Sequence, residues 1–179
     1  MAQRNSEYER KERNLYETPV WVTQALMEIM PRHLQVWECA CASGAMAKVI
    51  GAKYASDLVT DYGSNGVDFL AVQHLPVGIN AIVTNPPFGK DGEDFIRHGM
   101  ELLEGRVDAY MAMLLPIDYD SAKTRYDMFA ECSWFAGKLV LTSRIVWFEP
   151  AVASPSTNHA WFIWDKHWLK PPMLRYHFK

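Results

Sequence analysis

Residues 80–89 read Asn-Ala-Ile-Val-Thr-Asn-Pro-Pro-Phe-Gly. The first five have the composition of a buried strand. Pro86 and Pro87 end it abruptly, because they fix the backbone and remove two amide donors. Their carbonyls still accept hydrogen bonds. The Asn85 side-chain oxygen beside a fixed carbonyl makes two neighbouring acceptors, and Phe88 follows with an aromatic face. Such a constellation suits a planar group bearing an NH2: the acceptors hold the amine hydrogens while the ring stacks. On the motif alone, a rigid turn leaving a strand remains the structural alternative.

Outward from this stretch, strand and helix patterns alternate. Thr18 followed by Pro19 predicts a helix N-cap with proline in the first turn. Val20, Trp21, Ala25, Leu26, Ile29 and Met30 then share one helical face, and Pro31 stops the helix. Strands are predicted at Leu34 to Cys39, Lys53 to Ser56, Val107 to Leu115, Leu139 to Leu141, Ile145 to Phe148 and Ala160 to Trp164. Helices are predicted through Ala47, Val49 and Ile50, and over residues 92–104 and 121–132. The alternation argues for an α/β domain with a mostly parallel sheet and helices on both faces. In such sheets ligands bind beyond the carboxyl ends of the strands. Glu38 to Gly44, Asp57, and Asn85 to Phe88 all fall at predicted strand ends.

The 179 residues, 49% hydrophobic and 22% charged, suit one globular domain and exclude a mainly disordered chain. No apolar run is long enough for a membrane span, and the charged start MAQRNSEYERKERN is unlike a secretory signal, so the expected location is the cytoplasm, with no membrane partner. Three cysteines argue against a disulfide framework. Cys39 and Cys41 are too few and too close to make a zinc site on their own, and they read as small buried residues. The net charge of −3 hides an uneven distribution: residues 18–165 hold ten bases and seventeen acids, whereas 166–179 hold Lys166, Lys170, Arg175 and Lys179 with no acid. A polyanion would meet the tail or local basic spots such as Lys123 and Arg125, each of which also reads as plain solvated surface.

Asn-Pro-Pro-Phe after a hydrophobic strand resembles the catalytic motif of S-adenosylmethionine-dependent amino-methyltransferases, adenine-N6 DNA methyltransferases above all. The resemblance extends along most of the chain. Tyr16-Glu17-Thr18-Pro19 resembles an upstream Tyr-x-Thr-Pro element that touches the cofactor. Val36 to Gly44 resembles the cofactor loop, usually Glu-Pro-Ala-x-Gly-x-Gly. Ala55-Ser56-Asp57 resembles the acidic end of the second strand, and Val67-Asp68-Phe69-Leu70 the Asp-Phe element beside the cofactor's adenine. Asn158 to Asp165 resembles the closing antiparallel strand of small, often phage-type members. Two departures stand out. Ala42 occupies the first glycine position of the loop and Cys39 the usual proline, and no large target-recognition domain is expected within these 179 residues.

The resemblance implies a single Rossmann-like class I methyltransferase domain, mostly parallel with an antiparallel closing strand. It implies S-adenosylmethionine as cofactor, held by Thr18, Glu38, Ala40, Gly44, Asp57, Asp68, Phe69 and Asn85. Asn85, Pro86, Pro87 and Phe88 would form the catalytic segment, with no metal. Thr18 could equally be a helix cap, and Phe69 plain core. The implied reaction is methyl transfer to the N6 amine of adenine in DNA, by a bacterial or phage-encoded enzyme. RNA or a protein glutamine amide are alternative acceptors, and a non-catalytic nucleic-acid-binding protein on the same fold is the rival of a different class. The expected organisation is a polar arm at 1–15, a catalytic domain at 16–166 and a basic tail at 167–179.

Overall fold

The computed structural model describes residues 17–60, 65–87, 89–147 and 157–179. The predicted arm, Tyr16, Phe88 and Phe148 lie outside the described residues. Seven strands form one sheet: β1 (Val36–Glu38), β2 (Tyr54–Ala55), β3 (Ala81–Thr84), β4 (Tyr110–Pro116), β5 (Phe135–Leu141), β6 (His159–Asp165) and β7 (Met173–His177). Their order is β2-β1-β3-β4-β6-β5-β7. All are parallel except β6, which runs antiparallel to β4 on one side and β5 on the other. The expected Rossmann-like α/β fold with an antiparallel closing strand is therefore present.

Side chains split by the two-residue period of the strands. On one face Val36, Ala81, Val83, Ala112, Leu114 and Trp161 meet α1 (Val20–Met27) and α2 (Ala45–Ile50) through Val22, Leu26 and Met46. On the other, Trp37, Ile82, Met111, Met113 and Phe162 meet α3 (Lys90–Leu103) and α4 (Tyr126–Phe129) through Phe95, Ile96, Leu103 and Phe129. β4 is buried on both faces, which is why its sequence is a continuous apolar run rather than an alternating one. Buried indoles fix helices to the sheet by donating Nε1–H: Trp161 to the Val22 carbonyl of α1 and Trp164 to the Met128 carbonyl of α4, at 2.8 and 2.9 Å.

Four expectations need correction. Thr18 is not the N-cap: Pro19 takes that position with an extended ψ of 146°, α1 starts at Val20, and no side chain caps it. The predicted helix over 121–132 is reduced to α4 and two 3-10 turns, Tyr119–Ser121 and Lys123–Arg125, because Ala122 is extended between them. Ile145 to Trp147 form no strand; Ile145 is buried, and the Trp147 ring meets the His159 ring edge-on at 5.3 Å, so their apolar character reflects burial without pairing. Finally, part of the basic segment read as a solvated end is β7, paired with β5 over five residues. Gly137 makes this docking possible. Its φ of 124° and its missing Cβ admit the Met173 backbone, on which any side chain at 137 would fall. No helix among the described residues is long and apolar enough to cross a membrane.

Candidate active site

The carboxyl ends of β1, β2, β3 and β4 open on one edge of the sheet, and the residues singled out above gather there. β1 delivers Glu38, which is 2% exposed. Its Oε2 is buried without a hydrogen-bond partner among the described residues. Burial pushes the Glu38 carboxyl up to about 8; the Ala47 amide opposes the rise and the Asp57 carboxylate adds to it. A buried carboxyl oxygen left without a partner, as Oε2 is here, is costly unless something supplies a donor.

The loop that follows is held by the end of β2. Cys41 donates its amide to the Ser56 carbonyl at 3.0 Å, and Ser56 donates to the Glu38 carbonyl at 2.9 Å. Asp57 Oδ2 accepts from the Ala42 amide at 2.8 Å, and Oδ1 from the Val59 amide at 2.9 Å. Asp57 thus clamps the loop, and its carboxylate has acceptor capacity beyond these two bonds. Gly44, with φ of 79°, begins α2 and has nothing within 4 Å of where a Cβ would stand. Ala40 is half-buried between Glu38 and this opening. Cys39 and Cys41 are buried free thiols; burial drives both pKa values up, that of Cys41 to about 11.

Ala42 has φ of 47°, the one non-glycine residue with positive φ among those described. The missing methyl of a glycine would suit this position, since an L-residue in the left-handed region costs about 1–2 kcal/mol. Replacing Ala42 by Gly relieves that strain against a smaller loss from the freer unfolded chain. A net gain near 1 kcal/mol raises Tm by about 2–4 °C in a chain of this size. A thermal melt in which Ala42→Gly is unchanged or less stable would show that the loop carries no strain there.

The Glu38 shift gives a pH dependence with a definite sign. Its carboxyl is raised in the folded state, so the fold keeps a proton that the unfolded chain has lost from about pH 4.5 up to about 8. Stability accordingly falls as pH rises through that window. Glu38→Gln removes the dependence, worth on the order of a few kcal/mol across the window. Denaturant unfolding at several pH values checks this; equal slopes for the two proteins would refute it.

Asp68 is exposed and caps the 3-10 turn Phe69–Ala71, its Oδ1 accepting from the Leu70 amide at 3.0 Å. Phe69 sits in the core at 2% exposure, edge-on to Trp37 at 5.2 Å and tilted on Phe95 at 4.7 Å. The core alternative holds for its ring: Phe69 anchors the segment that presents Asp68. Thr18 is buried just ahead of α1.

β3 delivers Asn85, half-buried, and Pro86, buried. Their support comes from residues the sequence did not single out. At Gly92, in the first turn of α3, a Cβ would lie 2.8 Å from the Pro87 carbonyl oxygen and 3.6 Å from the Tyr119 hydroxyl. Glycine there lets the proline segment rest directly on α3. Tyr119 follows β4, is 8% exposed, and its hydroxyl is buried without a hydrogen-bond partner among the described residues. Arg125 lies 3.8 Å over its ring, donates to its carbonyl at 2.7 Å and pairs with Glu93 at 3.3 Å. Arg125 is thereby committed inside the protein, and of the Lys123–Arg125 pair only Lys123 is exposed. A glycine at the third helical position, facing the proline segment, was the one available sequence signal for this packing.

No protein-family profile and no curated protein matches the sequence. Solved structures match the fold. A Listeria monocytogenes protein described as a class I S-adenosylmethionine-dependent methyltransferase aligns with a TM-score of 0.56 and 12% identity, over 88% of this chain and 61% of that one. The fold is that of the class I methyltransferases. A 23S rRNA methyltransferase aligns at 0.55 with 13% identity, over 89% of this chain and 71% of that one. The modification subunit assigned to a type I restriction enzyme of Vibrio vulnificus aligns at 0.56 with 14% identity, over 85% and 44%. The chain thus spans about 61% of the length of the Listeria protein and 44% of the modification subunit.

Proposed function

We propose that the protein transfers a methyl group from S-adenosylmethionine to the N6 amine of adenine in DNA. The observation that carries this reading is one sheet edge presenting both the Glu38–Gly44 loop and the Asn85-Pro86-Pro87 segment. The loop fits the cofactor: Glu38 offers one buried carboxyl oxygen without a partner, Gly44 open space, and Asp57 spare acceptor capacity. Glu38, Ala40, Gly44, Asp57 and Asp68 would hold it, with Thr18 nearby in sequence to α1. When bound, it supplies a methyl group on a sulfonium that departs as a neutral thioether, so no metal is required.

The residues of the chain do the rest. A base amine is a poor nucleophile because its lone pair is delocalised into the ring. Asn85 and the Pro86 carbonyl accept its two hydrogens, draw them out of the ring plane and localise the pair on nitrogen. The pair on nitrogen would then take the methyl group that the bound cofactor would supply. The nitrogen then releases one proton to solvent past the same acceptors. Holding the partners in line accounts for most of the remaining acceleration. A base in duplex DNA has to leave the stack to reach this edge. Phe88, outside the described residues, is assigned the stacking face.

RNA is the second reading, favoured by the match to a 23S rRNA methyltransferase. One assay tests both: incubation with methyl-labelled cofactor and, separately, DNA, RNA and protein, followed by identification of the methylated atom. Label on adenine N6 of DNA supports the proposal. Label on RNA or on a glutamine amide moves the acceptor, and no binding of the cofactor at millimolar concentration removes the enzyme reading.

A further inference from the structure

Tyr119 carries a hydroxyl that its surroundings hold in place yet leave without a bond. The backbone around it is pinned from β5: Lys138 donates to the Ile117 carbonyl at 3.0 Å and to the two Asp120 carboxylate oxygens at 2.9 and 2.8 Å. The turn Tyr119–Ser121 closes on Asp118, whose carbonyl accepts from the Ser121 amide at 3.0 Å and from the Ser121 hydroxyl at 2.6 Å. Besides the Arg125 guanidinium over its face, the ring meets Phe129 and Phe162 edge-on, with centroids 6.4 and 6.5 Å away. Burial raises the pKa of the phenol against the opposing effect of Arg125, so the hydroxyl is a donor at neutral pH. Phenylalanine would fill the same space without burying an unmet donor, whose desolvation is a standing cost to the fold.

The hydroxyl borders the segment assigned to the acceptor amine. β3 and β4 are adjacent and parallel, so Asn85 and Tyr119 leave the sheet at the same edge. The Tyr119 hydroxyl and the Pro87 carbonyl oxygen flank one small space, the place where a Gly92 side chain would stand, and no hydrogen bond joins them there. A donor and an acceptor held this near need only a modest shift of the segment to meet. Such a bond acts on the Pro86 carbonyl through a stiff link. The peptide between Pro86 and Pro87 is planar and the Pro87 ring fixes its φ, so one torsion, the Pro87 ψ, separates the two carbonyls.

We propose that Tyr119 is a positioning residue for methyl transfer: in the reactive complex its hydroxyl donates to the Pro87 carbonyl and holds the Pro86 carbonyl and Asn85 against the acceptor amine. The inference rests on the methyltransferase reading. Its test is Tyr119→Phe, alone and in a Gly92→Ala background. The bond forms only in the reactive complex, so its loss falls on kcat and leaves cofactor affinity and the KM for DNA nearly unchanged. Single-turnover transfer at saturating S-adenosylmethionine and DNA slows about tenfold, the scale of one hydrogen bond. The melting temperature is held or raised, because an unpartnered hydroxyl has left the interior. Where Gly92→Ala has already displaced the segment, Tyr119→Phe has almost no further effect on the rate, since residues that act through one contact are not additive. Transfer by Tyr119→Phe at the wild-type rate would overturn the proposal. So would a lower melting temperature, which would show the hydroxyl already bonded in the resting fold, or a tenfold loss repeated in the Gly92→Ala background, which would show that it acts apart from the segment. A wild-type protein that transfers no methyl group overturns the methyltransferase reading and this inference with it, whereas wild-type transfer with an unaffected Tyr119→Phe overturns this inference alone.

Discussion

Asn85→Ala abolishes most methyl transfer while leaving cofactor affinity nearly intact. Deleting a preorganised polar partner of the transition state costs on the order of a hundredfold or more. Asn85 acts on the acceptor amine, whereas Glu38, Gly44 and Asp57 lie on the other two strand ends, so calorimetry with S-adenosylmethionine changes little. Single-turnover transfer to DNA measures the chemical step. Asn85→Asp is a useful companion, because it keeps an acceptor at the same place but adds a charge. Wild-type transfer by the alanine variant would reduce Asn85-Pro86-Pro87 to a structural turn and end the proposed mechanism.

Gly92→Ala produces a comparable loss from outside the site. The new Cβ would meet the Pro87 carbonyl oxygen at 2.8 Å, tighter than carbon and oxygen accept, and both partners are backbone-bound. The proline segment has to shift, carrying Asn85 and the Pro86 carbonyl with it. A displacement near 1 Å at reacting groups costs about a hundredfold. Alanine is also the better helix former by about 1 kcal/mol. The signature is therefore a large drop in kcat/KM with stability held or slightly raised, which a generally damaged fold would not show. Unaltered kcat/KM would mean that the segment yields without consequence.

The parts of the fold written in the sequence were those encoded by local chemistry. Two prolines after Thr84 dictate a strand end whatever surrounds them, and small residues after Glu38 require a loop. Acidic residues at strand ends marked Glu38 and Asp57, although not that Asp57 would clamp the Ala42 amide. Elements decided by distant contacts were harder to read. β7 lacks a buried face, so Met173–His177 carries no hydrophobic alternation, and its docking depends on a glycine in β5. Residues 121–132 have helical composition, but Ala122 is extended and the helix cannot run through. Phe69 follows an acidic residue in a pattern that fits either a ligand contact or core, and only its neighbours Trp37 and Phe95 decide for core. Tyr119 and Gly92 are brought together by packing that no spacing announces.

The position of β6 between β4 and β5 has a consequence for how the chain is made. β6 follows both neighbours in sequence, yet it supplies the hydrogen bonds that join them. A nascent chain grown only to Leu141 holds β4 as an open edge, with Met111, Met113 and Leu115 lacking the cover of Phe162 and Trp164. β5 has no place to pair until residue 165 has left the ribosome. The half-sheet is thus exposed during synthesis to edge-to-edge association and to chaperones. Slowing translation before His159 should lengthen that exposure and lower the soluble yield of an otherwise unaltered protein.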